Sequence, residues 1–309
     1  MKASAIIRLC VWSLVAVLLI ALMFGVLSGK TVVLWPDGSW NIGISGHTYP
    51  NASEYTAGNA EIKDTVRAID LEWVSGSVKV VGYDGDVLRV TEQTTNTDPD
   101  MQLHWRYKNE VLYIQPYASQ WFFGVTEWGD KNVTIEIPYS MHASLTKIEV
   151  ESTSASVTVS DISTKALSID TVSGNINVAD ATAEVIELDS VSGLIAGNDL
   201  IASSMEVDVT SGDTVLSGTF RHLSMDSTSG DFEIRNTLAP TSAELDTVSG
   251  DITLYFPLDE GFTVEFETVS GDFECDYAVS KRGSLRICGD GKGDYDVETV
   301  SGDLYIKQP

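Results

Sequence analysis

The chain has 309 residues, with 45 acidic side chains against 19 basic ones and a formal net charge of −26. Lys2, Arg8 and Lys30 are the only charges before residue 31, so the body carries 16 basic residues against all 45 acidic ones. A field of that sign repels nucleic-acid phosphates and anionic lipid headgroups, which excludes both as partners of the body and leaves cationic partners or metal ions.

Residues 4–28 are apolar except for Arg8 and a few small polar residues, without proline. That length spans a bilayer. A cleaved leader needs a shorter apolar core and a small-residue cleavage site, which Val26-Leu27-Ser28 matches poorly, so residues 1–30 are expected to be a single-pass transmembrane anchor. The basic residues on its N-terminal side favour a cytoplasmic N-terminus and a body outside the cell. Residues 31–66, with a turn at Trp35-Pro36-Asp37-Gly38 and a Gly/Asn/Ser/Thr-rich stretch after it, are expected to be a juxtamembrane spacer.

Residues 67–146 read as a first repeat unit plus an antiparallel β cap. Alternating segments occur at Val87–Thr91, Leu103–Tyr107, Val111–Ile114 and Val133–Ile137, with a hairpin turn at Lys108-Asn109-Glu110. Trp121, Phe122, Phe123 and Trp128 crowd one stretch of this segment. They form either a binding platform, which could also touch the membrane surface, or a plug for the end of the array.

Residues 147–309 carry a repeat. Ser-Gly steps fall at 75–76, 173–174, 192–193, 211–212, 229–230, 249–250, 270–271 and 301–302, with a degenerate copy at Ser154-Ala155. From Ala155 to Gly271 the intervals are 19, 19, 19, 18, 20 and 21 residues. A period near twenty marks each unit as one rung of an array. Counting from the glycine, positions −7 and −5 are apolar, −6 and −4 polar, and +2 and +4 mostly apolar again, the period-two signature of half-buried strands. The fold class expected is therefore all-β, a β-solenoid of ~20-residue rungs with like columns stacked ~4.8 Å apart. A meander of antiparallel hairpins is the competing arrangement, because period alone does not fix strand direction.

The last interval, Gly271 to Gly302, is 31 residues and contains Cys275 and Cys288. The two cysteines either close this excursion as a disulfide or serve as small buried hydrophobes.

The Asp-Thr-Val-Ser-Gly-Asp-Ile run at 246–252, its variants at 267–273 and 298–304, the opening Ile69–Val78 and the closing Gly289–Gly293 resemble the bacterial putative-adhesin family of β-strand repeat proteins. The resemblance covers about residues 50–309. It implies a domain of unknown function at the cell envelope, often with a membrane segment, and by name an adhesive role. It carries no catalytic residues.

Position −4 is a carboxylate in every rung: Glu72, Glu151, Asp170, Asp189, Asp208, Asp226, Asp246, Glu267 and Glu298. Stacked in register, these are a solvated acidic face, a ladder in which Asp170, Asp189, Asp208, Asp226, Asp246 and Glu267 share Ca²⁺, or a docking strip for a cationic peptide or protein. The Ca²⁺ β-roll repeat G-G-x-G-x-D is absent, and no cofactor other than Ca²⁺ is suggested. The Asp residues at +1 are accounted for by turn chemistry. No metalloprotease, nucleophile-elbow or phosphate-loop pattern occurs, so no enzyme is expected. The function expected is a membrane-anchored, non-enzymatic envelope protein of adhesin type, whose partners are a cell-surface glycan, protein or cationic peptide. A sensor module that binds divalent cations or cationic peptides is the alternative, and a β-helix polysaccharide-active enzyme a remote one.

Overall fold

The computed structural model describes residues 32–34, 40–42, 48–119, 131–258 and 261–309. The expected anchor, the Trp35–Gly38 turn and the Trp121–Trp128 stretch lie outside these residues. Among the described residues no helix is long and apolar enough to cross a membrane.

Strands β1 (Val32–Leu34) and β2 (Trp40–Ile42) form a separate antiparallel pair. All other strands join one 23-stranded sheet that winds around itself. Residues 48–66 do not run as a spacer. Their strands β3 (Thr56–Ala57) and β4 (Ala60–Ile62) are hydrogen-bonded into the sheet, and Ala60, Ile62 and Val66 are core residues.

A rung has two strands joined at the Ser-Gly turn. The first rung is β5 (Ala68–Trp73) and β6 (Ser77–Tyr83). Then β7 (Leu88–Gln93) leads to the hairpin β8 (His104–Lys108) and β9 (Val111–Gln115). The hairpin turns at Asn109 and Glu110, both left-handed with φ of 53° and 64°, as a two-residue turn between right-twisted strands requires. Next come β10 (Asn132–Pro138) and one short helix, α1 (Tyr139–His142).

The array proper follows with β11 (Lys147–Ser152), β12 (Ser156–Ser163), β13 (Ala166–Thr171), β14 (Ile176–Ser192), β15 (Ile195–Ser211), β16 (Thr214–Ser229), β17 (Phe232–Asn236), β18 (Ser242–Ser249) and β19 (Ile252–Tyr255). The chain ends with β20 (Phe262–Ser270), β21 (Phe273–Cys275), β22 (Val279–Arg282), β23 (Leu285–Cys288), β24 (Gly293–Ser301) and β25 (Leu304–Lys307).

Equivalent strands pair in parallel and in register, so the antiparallel meander is not the arrangement. Asp189 faces Asp170 on one side and Asp208 on the other, and the same correspondence runs through the array. Inward columns are dry: Leu71, Ile169, Leu188, Leu245 and Val297 are all 0% exposed. Burying such a side chain contributes about 1.5–3 kcal/mol, and only a neighbouring rung provides that burial.

The turn glycines are required by stacking. A Cβ on Gly230 would lie 2.0 Å from the carbonyl oxygen of Gly212, and one on Gly250 would lie 2.1 Å from that of Gly230. Both glycines also have left-handed φ values, 139° and 144°. A second bend recurs six residues later, where Asp161, Asp180 and Asp199 take φ of 52–56°. Aspartate tolerates that region because its short carboxylate bonds locally.

The stacking order departs from chain order at both ends. β9 and β10 pair in parallel with the outer edges of β5 and β6, so the layer before the first rung is made from residues that follow it in sequence. The expected antiparallel cap lies outside that layer: β8 closes β9, β7 closes β10, and β3 and β4 extend them. At the other end, β24 pairs with both β18 and β20, and β25 with both β19 and β21. The Gly302 rung is therefore inserted between the Gly250 and Gly271 rungs. The long last interval contains the hairpin β22–β23, from which the chain returns to fill this gap.

Cys275 is half-buried and Cys288 buried, both as free thiols, with burial pushing each thiol pKa up.

Candidate functional site

Two acidic columns define the outer face of the sheet that contains β5, β11, β13 and their equivalents. In space the −4 line reads Glu72, Glu151, Asp170, Asp189, Asp208, Asp226, Asp246, Glu298 and Glu267. Nine carboxylates one strand apart make a line about 38 Å long. Of the six expected ladder residues, the first five are immediate neighbours. Glu267 is separated from Asp246 by Glu298, because of the inserted rung. The −6 column beside it adds Asp70, Glu149, Glu187, Glu206, Glu244, Asp296 and Glu265.

The line cannot ionise fully at neutral pH. From Glu72 to Glu298 neighbouring rungs strip water from the carboxyls, and from Glu151 to Glu298 like charges lie on both sides, so these pKa values rise. Asp70 and Asp208 are pushed up to about 6, and Glu151 and Asp246 to about 7, in each case by burial first and adjacent carboxylates second. Asp170 and Asp189 share a hydrogen bond, and their joint titration lies well above the usual carboxylate range. Asp208 and Asp226 share another. At its sealed end the line finishes on Gln115, whose side chain bonds Glu72 and adds no charge. Lys147 offers local relief, 2.8 Å from Glu149.

These shifts set a pH dependence. Folded carboxyls that keep protons the unfolded chain has already lost favour folding at low pH, and that advantage disappears as pH rises through the folded pKa values. The window runs from the ordinary carboxylate pKa near 4 up to about 7 for Glu151 and Asp246, and higher still for the Asp170–Asp189 pair. The body is expected to melt at a higher temperature at pH 5 than at pH 8. Asp189→Asn, tested by calorimetry at both values, should raise the pH 8 melting point and narrow the difference.

Among the described residues no three His, Cys, Asp or Glu side chains converge to hold a metal ion. Each rung contributes one carboxylate to a line, so a bound cation would bridge neighbours and displace the protons they share.

The +1 aspartates do a different job. Asp213 Oδ1 accepts from the backbone N–H of Asp231 (3.1 Å), Asp231 from Asp251 (2.8 Å), Asp251 from Asp303 (2.9 Å) and Asp303 from Asp272 (2.8 Å). Each turn is thus fastened to the next by a charge-assisted bond, and that bond holds Asp303 below the usual carboxylate range. Turn chemistry is the expectation for these residues; the bonds they accept run between rungs.

Sequence reasoning missed one buried pair at the sealed end. Lys131 Nζ lies 2.6 Å from Glu92, with side chains 5% and 2% exposed. Lys131 also donates to the Met101 carbonyl and sits 4.1 Å from the Tyr117 ring centroid. Glu92 accepts from the N–H of Leu103. Lys131 directly follows the segment with the aromatic residues, and its backbone is what Gly76 packs against.

Comparison with known proteins fits this architecture. The family model Toastrack DUF4097 matches residues 66–307, and the chain belongs to that family. A solved structure from Parabacteroides distasonis, titled a putative lipid binding protein, aligns at 15% identity over 82% of this chain and 97% of its own, with a TM-score of 0.51. A "putative adhesin" from the same organism aligns at 16% identity over 81% and 96%, TM-score 0.44. Another from Bacteroides fragilis aligns at 13% over 81% and 97%, TM-score 0.42. The first of these likenesses bears on the fold alone. No curated protein matches the chain.

Proposed function

We propose that this chain is a non-enzymatic, membrane-anchored envelope protein of adhesin type that binds cationic partners along its acidic face. The observation that carries this is the unbroken carboxylate line, one acid per rung on a rigid parallel stack. A ligand with positive charges spaced one or two rungs apart would meet a carboxylate at every step, and each contact would relieve the repulsion that now keeps protons on the line. The residues 4–28 segment supplies the anchor and faces the body outward.

The test is binding of the purified full chain to oligolysine and to surface glycans at two salt concentrations. Oligolysine binding should fall at least about tenfold in the triple variant Asp189→Asn, Asp208→Asn, Asp226→Asn, and weaken with salt. Binding unaffected by the triple substitution would overturn the reading. Protease access to the body on intact cells tests its outward placement.

The shared protons favour a second reading, a module that responds to divalent cations. Calorimetry with Ca²⁺ at pH 6 should then show saturable binding with proton release, a signature the adhesive reading does not require.

A further inference from the structure

The two ends of the stack are not alike. At the sealed end, Leu112 and Ile114 of β9 and Ile135 of β10 are fully buried beneath β7 and β8. At the other end, the core residues Phe266, Phe273 and Cys275 of the Gly271 rung are only half-buried, and Val269 beside them is 69% exposed. In the other rungs the residues of the same inward columns are dry, among them Val297, Leu304 and Ile306 of the adjoining rung. The hairpin strand β23 covers β20 over Phe262–Glu265 and stops there. Among the described residues, no strand pairs with the outer edge of β20 from residue 266 to 270, or with that of β21.

We infer that this open end pairs with the same end of a second copy, β20 with β20 and β21 with β21, antiparallel about a two-fold axis. The free edge of β20 is centred on Thr268 and the three residues of β21 on Glu274. These lie three residues before and three after Gly271, at the same distance from the turn, so one axis serves both pairs. Pairing centred on Thr268 sets Phe266 opposite Ser270 of the other copy and uses the whole edge that β23 leaves free. It also sets Glu267 opposite Val269 of the other copy, so the −4 acids lie on the diagonal and not face to face, and Val269 gains cover.

Charge supports the same partner. The hairpin places exposed Lys281 and Arg282 at this end of an otherwise acidic body, and Arg286 reaches over the Phe273 ring, 5.7 Å from its centroid. Antiparallel pairing brings the hairpin tip of each copy against the Ser-Gly turn of the other. There Asp272 ends the +1 ladder: its N–H is bonded to Asp303, and no further rung overlies its carboxylate. The like-charge contacts are Glu274 with its own copy, Asp272 opposite Asp276 of the other copy, and the two Glu267 side chains on the diagonal. The inference does not rest on the adhesive reading.

The test is the mass of the detergent-solubilised full chain by sedimentation equilibrium, in a concentration series up to about 100 µM. A monomer–dimer equilibrium is expected. Val269→Lys should abolish it. Arg282→Glu and Asp272→Lys should each weaken it about tenfold and restore it when combined, and Glu274→Gln should strengthen it. These positions are exposed, and unchanged melting curves will show that each variant folds. A chain that stays monomeric to the top of the series overturns the inference. So does a dimer indifferent to Val269→Lys and Arg282→Glu, which must form through another surface.

Discussion

Gly230→Ala is expected to destabilise the protein by about 4 kcal/mol or more, among the largest effects open to a single added methyl group. The methyl would occupy space 2.0 Å from the carbonyl oxygen of Gly212, and backbone in the middle of a stack cannot move aside without breaking the registers above and below. The φ of 139° adds strain of its own. Gly283→Ala is the control. Gly283 also has a positive φ, 68°, but nothing lies within 4 Å of its would-be Cβ, so its cost should be about 1 kcal/mol. Chemical denaturation of the two variants separates contact from conformation. Equal losses would show that φ alone explains the glycines and that rung-to-rung approach does not.

The second large effect is expected at the buried pair. Lys131→Met leaves the Glu92 carboxylate without its cation in a site where that side chain is 2% exposed, and removing one member of a buried pair costs about 3–5 kcal/mol. Glu92→Leu strands the ammonium and also the Leu103 N–H, so it should cost at least as much. The double variant should recover part of the loss, because an apolar pair has no charge to desolvate. Additive losses in denaturant melts would mean that the two side chains do not act as a unit. The pair also fixes Met101, Leu103 and Trp73 around one point: Lys131 donates to Met101, Glu92 accepts from Leu103, and Trp73 Nε1 donates to the Lys131 carbonyl.

Much of the array was legible in the chain because one physical constraint repeats. Period-two alternation at −7, −5, +2 and +4 encodes two buried strand faces, and the Ser-Gly step encodes the bend between them. The acidic column at −4 was equally plain. The order of stacking was not. Gly302 resembles its predecessors so closely that nothing local tells it to fill the slot beside Gly250. That choice is made by the length of the preceding excursion and by hydrogen bonds between residues about fifty positions apart, such as Asp303 to Asp251. Likewise β9 and β10 read as cap strands, since no Ser-Gly step lies between them to mark them as a rung. The second bend at Asp161, Asp180 and Asp199 was overlooked because aspartate in the left-handed region looks in sequence like any other surface acid. The Glu92–Lys131 pair carries no periodic signal at all, and only long-range folding brings it together.

The inserted rung changes what damage near the C-terminus means. In a simple pile, losing the final layer trims an end and leaves the rest standing. Here, deleting residues 293–307 would remove an interior course of the wall. The Gly250 and Gly271 layers would face each other across an empty slot, and Leu245 and Phe266 would lose the Val297 layer between them. The Gly271 rung, which precedes the Gly302 rung in sequence, therefore has no neighbour to pack on along its inner side until residues 293–307 fill the slot.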